Sequence, residues 1–98
     1  MDAESRLAVI IDLMKKRDFE TAEQRLNDAL EHYPHHYQLL IKRARTRQVL
    51  DKYPLAIEDL NLALHISPYS ADAYYLMLTH HIVSNQFKRA KDILEILM

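Results

Sequence analysis

The sequence predicts an all-α protein, a solenoid of stacked helical hairpins, and three observations carry that prediction. The alanines Ala22, Ala56 and Ala90 stand 34 residues apart. Each lies in one recurring pattern, with an aromatic ahead (Phe19, Tyr53, Phe87) and a leucine behind (Leu26, Leu60, Leu94), at the same 34-residue spacing and without insertion. Two of the repeats also close alike, with Ala29-Leu30 then Pro34, and Ala63-Leu64 then Pro68. A fixed period of this length is the signature of helix pairs that bury their apolar faces only against neighbouring pairs.

In this register the chain forms a single domain of three repeats, 3–36, 37–70 and 71–98, each holding two helical stretches. The first pair is expected at 4–16 and 19–32, the second at 37–50 and 53–66, and the third at 71–84 and 87–98. Turns fall at Lys16-Arg17-Asp18, Asp51-Lys52 and Asn85-Gln86. Asp and Asn accept the left-handed conformation that often ends a helix, whereas Arg does so less readily. Pro34 and Pro68 stop the second helix of their repeats, because a helix-interior proline lacks the N–H donor and clashes with the preceding turn. Ser70 is the expected N-cap of the fifth helix. Composition agrees with this scheme: the 98 residues hold no glycine and three prolines, and 49% are hydrophobic.

Composition also excludes several classes. A net charge of −1 gives no global field to attract nucleic acid or an anionic membrane. The absence of cysteine removes disulfide frameworks and thiolate metal sites. The opening Met1-Asp2-Ala3-Glu4-Ser5-Arg6 has the wrong charge for a signal peptide, and the apolar run from Leu7 to Ile11 is too short to span a membrane. Cytoplasmic residence is the expectation.

Aromatic, alanine, leucine, alanine and proline at these offsets of a 34-residue helix–turn–helix resemble the tetratricopeptide repeat. The resemblance covers nearly the whole chain, and 37–68 fits best. It implies a right-handed superhelix whose concave face is lined by the first helix of each hairpin. The small residue that the family favours in that helix is Ala44 in the middle repeat but Ile10 and Leu78 in the outer ones, so those repeats are expected to splay or repack. The pattern is also expected to end without the family's usual C-terminal solvating helix.

Mapped onto the resemblance, the concave surface draws Leu7, Ala8, Ile11 and Met14 from the first repeat. Gln38, Ile41, Lys42, Arg45 and Val49 come from the second, and Tyr75, Leu76, Thr79 and Ile82 from the third. The result is an apolar trough with a basic middle, suited to an amphipathic helix or extended peptide with apolar anchors and one or two carboxylates. Some members of the family grip acidic chaperone tails with a clamp of Lys, Asn and Arg. The corresponding positions here are Leu7, Ile11, Lys42, Asp72 and Leu76, so that clamp is absent.

The last helix carries the second candidate surface. Leu94 and Leu97 occupy positions that in earlier repeats pack under the following hairpin, while Ile93 and Ile96 align with Arg25 and Asp28 and are expected to face solvent. With Met98 they make a helix end apolar almost all round, which marks an edge for self-association or docking.

Within the basic run Lys42-Arg43-Ala44-Arg45-Thr46-Arg47, Arg43 faces its hairpin partner, where Asp59 is placed to pair with it. The six histidines lack the converging geometry that a transition metal needs, since His80 and His81 point about 100° apart on a helix. No phosphate-binding glycine loop, cysteine nucleophile or serine with a base is present. The residues therefore indicate a non-enzymatic protein-interaction module, an adaptor or chaperone-like protein without cofactor. It is expected to bind a protein or peptide in the groove and to form a homodimer or hetero-complex through the C-terminal helix. Two other readings remain: an assembly component that uses the helix edge alone, and a histidine-based metal-binding protein.

Overall fold

The computed structural model describes residues 2–97, with Phe87 described by its backbone alone. Six helices run in chain order: α1 Ala3–Lys15, α2 Phe19–His32, α3 Tyr37–Val49, α4 Tyr53–Ile66, α5 Ala71–Val83 and α6 Phe87–Leu97. No strand occurs among the described residues. The expected bounds hold to within one residue: α1 starts at Ala3, and Lys16, Leu50 and Ser84 are the C-caps of α1, α3 and α5 rather than helical residues. The expected end of α6 at 98 lies outside the described residues.

The turns inside the hairpins are copies of one another. Arg17, Asp51 and Asn85, each 34 residues from the next, all adopt the left-handed conformation, with φ of 62°, 60° and 58°. The following N–H then reaches back to the carbonyl five residues earlier: Asp18 to Leu13 at 2.9 Å, Lys52 to Arg47 at 2.7 Å and Gln86 to His81 at 2.7 Å. These bonds close the orphan carbonyls of the helix end. Arg17 adopts the conformation despite its side chain, and its guanidinium lies over the Phe19 ring at 5.2 Å. Helix starts are capped by Asp2, Asp18, His36 and the expected Ser70, whose Oγ accepts from the Ala73 N–H at 3.1 Å. The Ser70 hydroxyl also meets the Tyr37 hydroxyl, at the other end of the same repeat.

Packing follows the register. Ala22 and Ala56 are fully buried and Ala90 nearly so, which lets the paired helices approach closely. Leu26 and Leu60 are fully buried as well, each contributing about 1.5–3 kcal/mol. Ile10, which replaces the small residue of the middle repeat, is taken wholly into the core beside Ala44, whereas Leu78 stays half-buried. The inner helices approach closely in series, α1 with α3 and α3 with α5, while among the described residues no such close backbone approach occurs between α2 and α4 or between α4 and α6. That asymmetry curves the stack and places α1, α3 and α5 on its concave side. The described molecule measures 41 × 24 × 19 Å.

Candidate peptide-binding groove

The groove is organised by the orientation of α3. Arg43 and Arg47 leave its convex side and enter a nearly buried ionic cluster. The guanidinium of Arg43 donates to Asp59 from Nε at 3.0 and 3.1 Å and from Nη2 at 2.7 Å, and to Asn27 Oδ1 at 3.2 Å. Arg47 donates to Asp59 Oδ2 at 2.9 Å and to Glu23 Oε2 at 3.3 Å, and Lys52 Nζ donates to Glu23 Oε1 at 2.6 Å. The expected Arg43–Asp59 pair is thus one edge of a network that ties α2, α3 and α4 together. Burial alone raises the Glu23 carboxyl. The hydrogen bonds and charges of Lys52 and Arg47 outweigh it and hold the group below the usual glutamate range.

With the convex side so anchored, Lys42 and Arg45 face the concave side, where neither has an ion-pair or hydrogen-bond partner among the described residues. Three depressions meet there. One of about 300 Å³ lies between α1 and α3, with Ile11 and Met14 as its apolar wall and Lys15, Arg17, Lys42 and Arg45 on its rim. A second, of about 150 Å³, lies between α3 and α5 against Ile41, Asp72, Tyr75 and Leu76. The third, of about 330 Å³, continues past Val49, Tyr53 and Thr79. Arg45 borders all three. The trough floor is held by a direct link between α3 and α5, since Gln48 Nε2 donates to the Leu76 carbonyl at 2.7 Å.

Most expected groove residues therefore come together: Ile11, Met14, Ile41, Lys42, Arg45, Tyr75 and Thr79 line these depressions. Gln38 and Ile82 are exposed but lie outside them. Leu7 corrects the expectation. It is 6% exposed and belongs to the core, because α1 packs directly on α3 and covers that position. Lys15, Arg17 and Phe19 were not expected in the groove; the left-handed turn at Arg17 brings the end of α1 and the start of α2 to its rim.

At the last helix, Leu94, Ile96 and Leu97 are 46%, 58% and 37% exposed, so an apolar edge is on the surface. Ile93 is a second correction: it is buried at 8%. Its counterpart in the middle repeat is the buried Asp59, not the exposed Arg25 of the first, and α6 turns this position inward with Ala90. Met98 lies outside the described residues.

His80 packs against Tyr53, with ring centroids 5.8 Å apart, and its Nδ1 is buried without a partner. Desolvation, then the neighbouring His81, lower its pKa. His81 is held through Nδ1 by Gln86 at 2.8 Å. Among the described residues no three His, Cys, Asp or Glu side chains converge as metal ligands.

Fold and groove together define a tetratricopeptide-repeat architecture. No protein-family model matches the sequence, and a search of curated proteins finds no match. Solved structures do match. The TPR2B-domain:pHsp70 complex of yeast Sti1 aligns with a TM-score of 0.89 at 23% identity, over 96% of this chain and 75% of that one. The TPR2AB-domain:pHSP90 complex of yeast Sti1 aligns with a TM-score of 0.88 at 23% identity, over 96% of this chain and 36% of that one. At such identity the likeness carries the fold.

Proposed function

We propose that this chain is a non-enzymatic protein-interaction module of the cytoplasm that holds a partner segment in its concave groove. The observation that carries the reading is the convergence of three depressions on Arg45, beside Lys42, with both cations unpaired and apolar side chains on either side. Such a site suits a segment that places a carboxylate between two apolar anchors, and Tyr75, 65% exposed, offers one rigid wall for an anchor. The solved neighbours are complexes with pHsp70 and pHSP90, which supports a protein or peptide partner. The ligand differs from an acidic chain terminus gripped at several points, since Leu7 is buried, Ile11 and Leu76 are apolar and Asp72 adds a negative charge to the rim. No described helix is long and apolar enough to cross a membrane.

The test is fluorescence anisotropy against synthetic peptides in which acidic residues and apolar anchors are varied independently. The tightest binders should carry a carboxylate flanked by apolar residues, and Arg45→Glu should weaken them at least about tenfold, or 1.4 kcal/mol. Equal binding of acidic and neutral peptides, or an unaffected Arg45→Glu chain, would remove the groove reading. The exposed Leu94, Ile96 and Leu97 favour a second role, docking or self-association through the last helix, which the groove variant should leave intact.

A further inference from the structure

The joints between successive repeats are built to one plan, and the two ends of the molecule carry complementary halves of another such joint. In the first joint, α2 sends the fully buried Leu26 under the next hairpin, Glu23 meets Lys52 at 2.6 Å, and Asn27 accepts from Arg43 and Arg47 at 3.2 and 3.4 Å. One repeat on, Leu60 is fully buried in the same way, while Ile57 and Gln86 stand in the places of Glu23 and Lys52. One repeat further, α6 presents Lys91, Leu94 and Glu95 at these positions, all exposed.

The matching surface lies at the other end, on the uncovered side of α1 and α2. There Asp18 occupies the place of Lys52, Arg25 that of Asp59, and Val9 and Leu13 those of Arg43 and Arg47. Val9 is 43% exposed and borders a depression of about 200 Å³ with Ile10, Arg25 and Asp28. Laid over the first joint, the Glu23–Lys52 pair becomes Lys91–Asp18, with both signs reversed and complementarity kept. The reach also fits, because Lys plus Asp is one methylene shorter than Glu plus Lys. Leu94 takes the place of Leu26, and Glu95 that of Asn27, with Val9 and Leu13 where Arg43 and Arg47 stand in the first joint.

The geometry points to a second copy of this chain as the occupant of the apolar edge, docked head to tail, with α6 of one copy on α1 and α2 of the next. This rests on reading the last helix as a docking edge, and it names both the partner and the receiving face. The contact uses two different surfaces, so it does not close at two copies. It propagates into a ring or an open superhelix that carries the groove from copy to copy. Leu94 supplies the burial, and the Lys91–Asp18 pair sets the direction and register, since surface pairs contribute little affinity by themselves.

The test is sedimentation velocity of the full chain over a concentration series, with Lys91→Glu, Asp18→Lys and their equimolar mixture. Position 18 should tolerate lysine, because α4 begins at Lys52 without a side-chain cap; Asp18→Asn, which keeps the cap, is the companion variant, and far-UV circular dichroism checks folding. Wild type should grow beyond a dimer, each charge reversal alone should stay monomeric, and the mixture should assemble, because every joint between the two variants again pairs opposite charges. A wild-type monomer at all concentrations overturns the inference. A dimer broken by Lys91→Glu but indifferent to Asp18→Lys also overturns it, while leaving the docking edge standing. Peptide binding in the groove is read separately through Arg45→Glu.

Discussion

Asp59 is the side chain on which the ionic cluster turns, and replacing it by Asn removes one charge with almost no change of shape. Its carboxylate is 3% exposed and receives both guanidiniums, while the Arg43 and Arg47 side chains are themselves only 20% and 11% exposed. Breaking a buried pair by removing one partner typically costs 3–5 kcal/mol, because the remaining charge is buried and uncompensated. The lower end applies here: Arg47 keeps Glu23 at 3.3 Å, and part of the Arg43 side chain can reach water. A loss of about 3 kcal/mol is a large share of the 5–15 kcal/mol available to a small domain. It corresponds to a fall in Tm of about 12 °C or more for a chain of this size. Urea titration followed by circular dichroism should show a lower midpoint with an unchanged slope. Glu58→Gln, on the exposed side of the same helix, should stay within about 0.5 kcal/mol of wild type. The third repeat also offers a natural rescue, since Met77 and Ile93 stand where Arg43 and Asp59 stand. The double change Arg43→Met/Asp59→Ile should recover part of the loss, as apolar replacement of a buried pair often does, the remainder being the Arg47–Asp59 bond that it does not restore. A loss below about 1 kcal/mol for Asp59→Asn would mean that water screens the cluster, and the argument would fail.

Four further measurements bear on the same structure. The Glu23 carboxyl is held low in the folded state, so the unfolded chain takes up its proton first. Stability should fall as pH drops below the ordinary carboxylate range, about 4.3, towards the depressed folded value, and Glu23→Gln should reduce that slope in pH-dependent urea titrations. His80 has the opposite charge type and is also lowered. The unfolded chain therefore binds a proton that the folded one refuses, and stability should decline as pH falls from about 6.5 to the folded value, a decline that His80→Phe should flatten. Thr46 is fully buried with its Oγ1 unpartnered, so the isosteric Thr46→Val should raise stability by about 1 kcal/mol in thermal or urea melts. Gln48→Ala removes the side-chain donor that links α3 to the Leu76 carbonyl and should cost about 1 kcal/mol, with faster hydrogen exchange in α5 as a second readout.

The helices were legible because the repeat gives the same evidence more than once. One alanine or one proline is ambiguous, but residues recurring at a single spacing locate six helices to within a residue of their observed ends. The Arg43–Asp59 pair was legible for a similar reason, since both partners lie in one hairpin whose geometry the register defines. Contacts between hairpins were not. Glu23 meets Lys52 and Arg47 across distances in sequence that depend on how one helix pair seats on the next, and no local pattern reports that angle. The burial of Leu7 is set in the same way, because whether an inner-face residue opens to the groove or closes into the core depends on the approach of α1 to α3. Ile93 was misread through the choice of reference repeat: alignment with Arg25 suggested solvent, whereas alignment with Asp59 indicates burial.

The basic run on α3 joins stability to recognition. Successive residues of a helix are about 100° apart, so Arg43 and Arg47 share one direction while Lys42 and Arg45 share another, about 150° away. On the first side the charges are neutralised by Asp59 and Glu23, and they hold α2, α3 and α4 at a set angle. On the second side they have no partner among the described residues, with Arg45 at the meeting point of three depressions and Lys42 beside two of them. The anchoring of one side is what aims the other, and the two sides should therefore respond differently to substitution. Arg45→Glu reverses a charge that makes no bond among the described residues, so it should weaken peptide capture at least about tenfold with little change in melting. Asp59→Asn touches nothing in the groove, yet by loosening the seat of α3 it should lower both melting temperature and peptide affinity. If Asp59→Asn lowered melting alone, the groove's cations would owe their aim to packing and not to the cluster behind them.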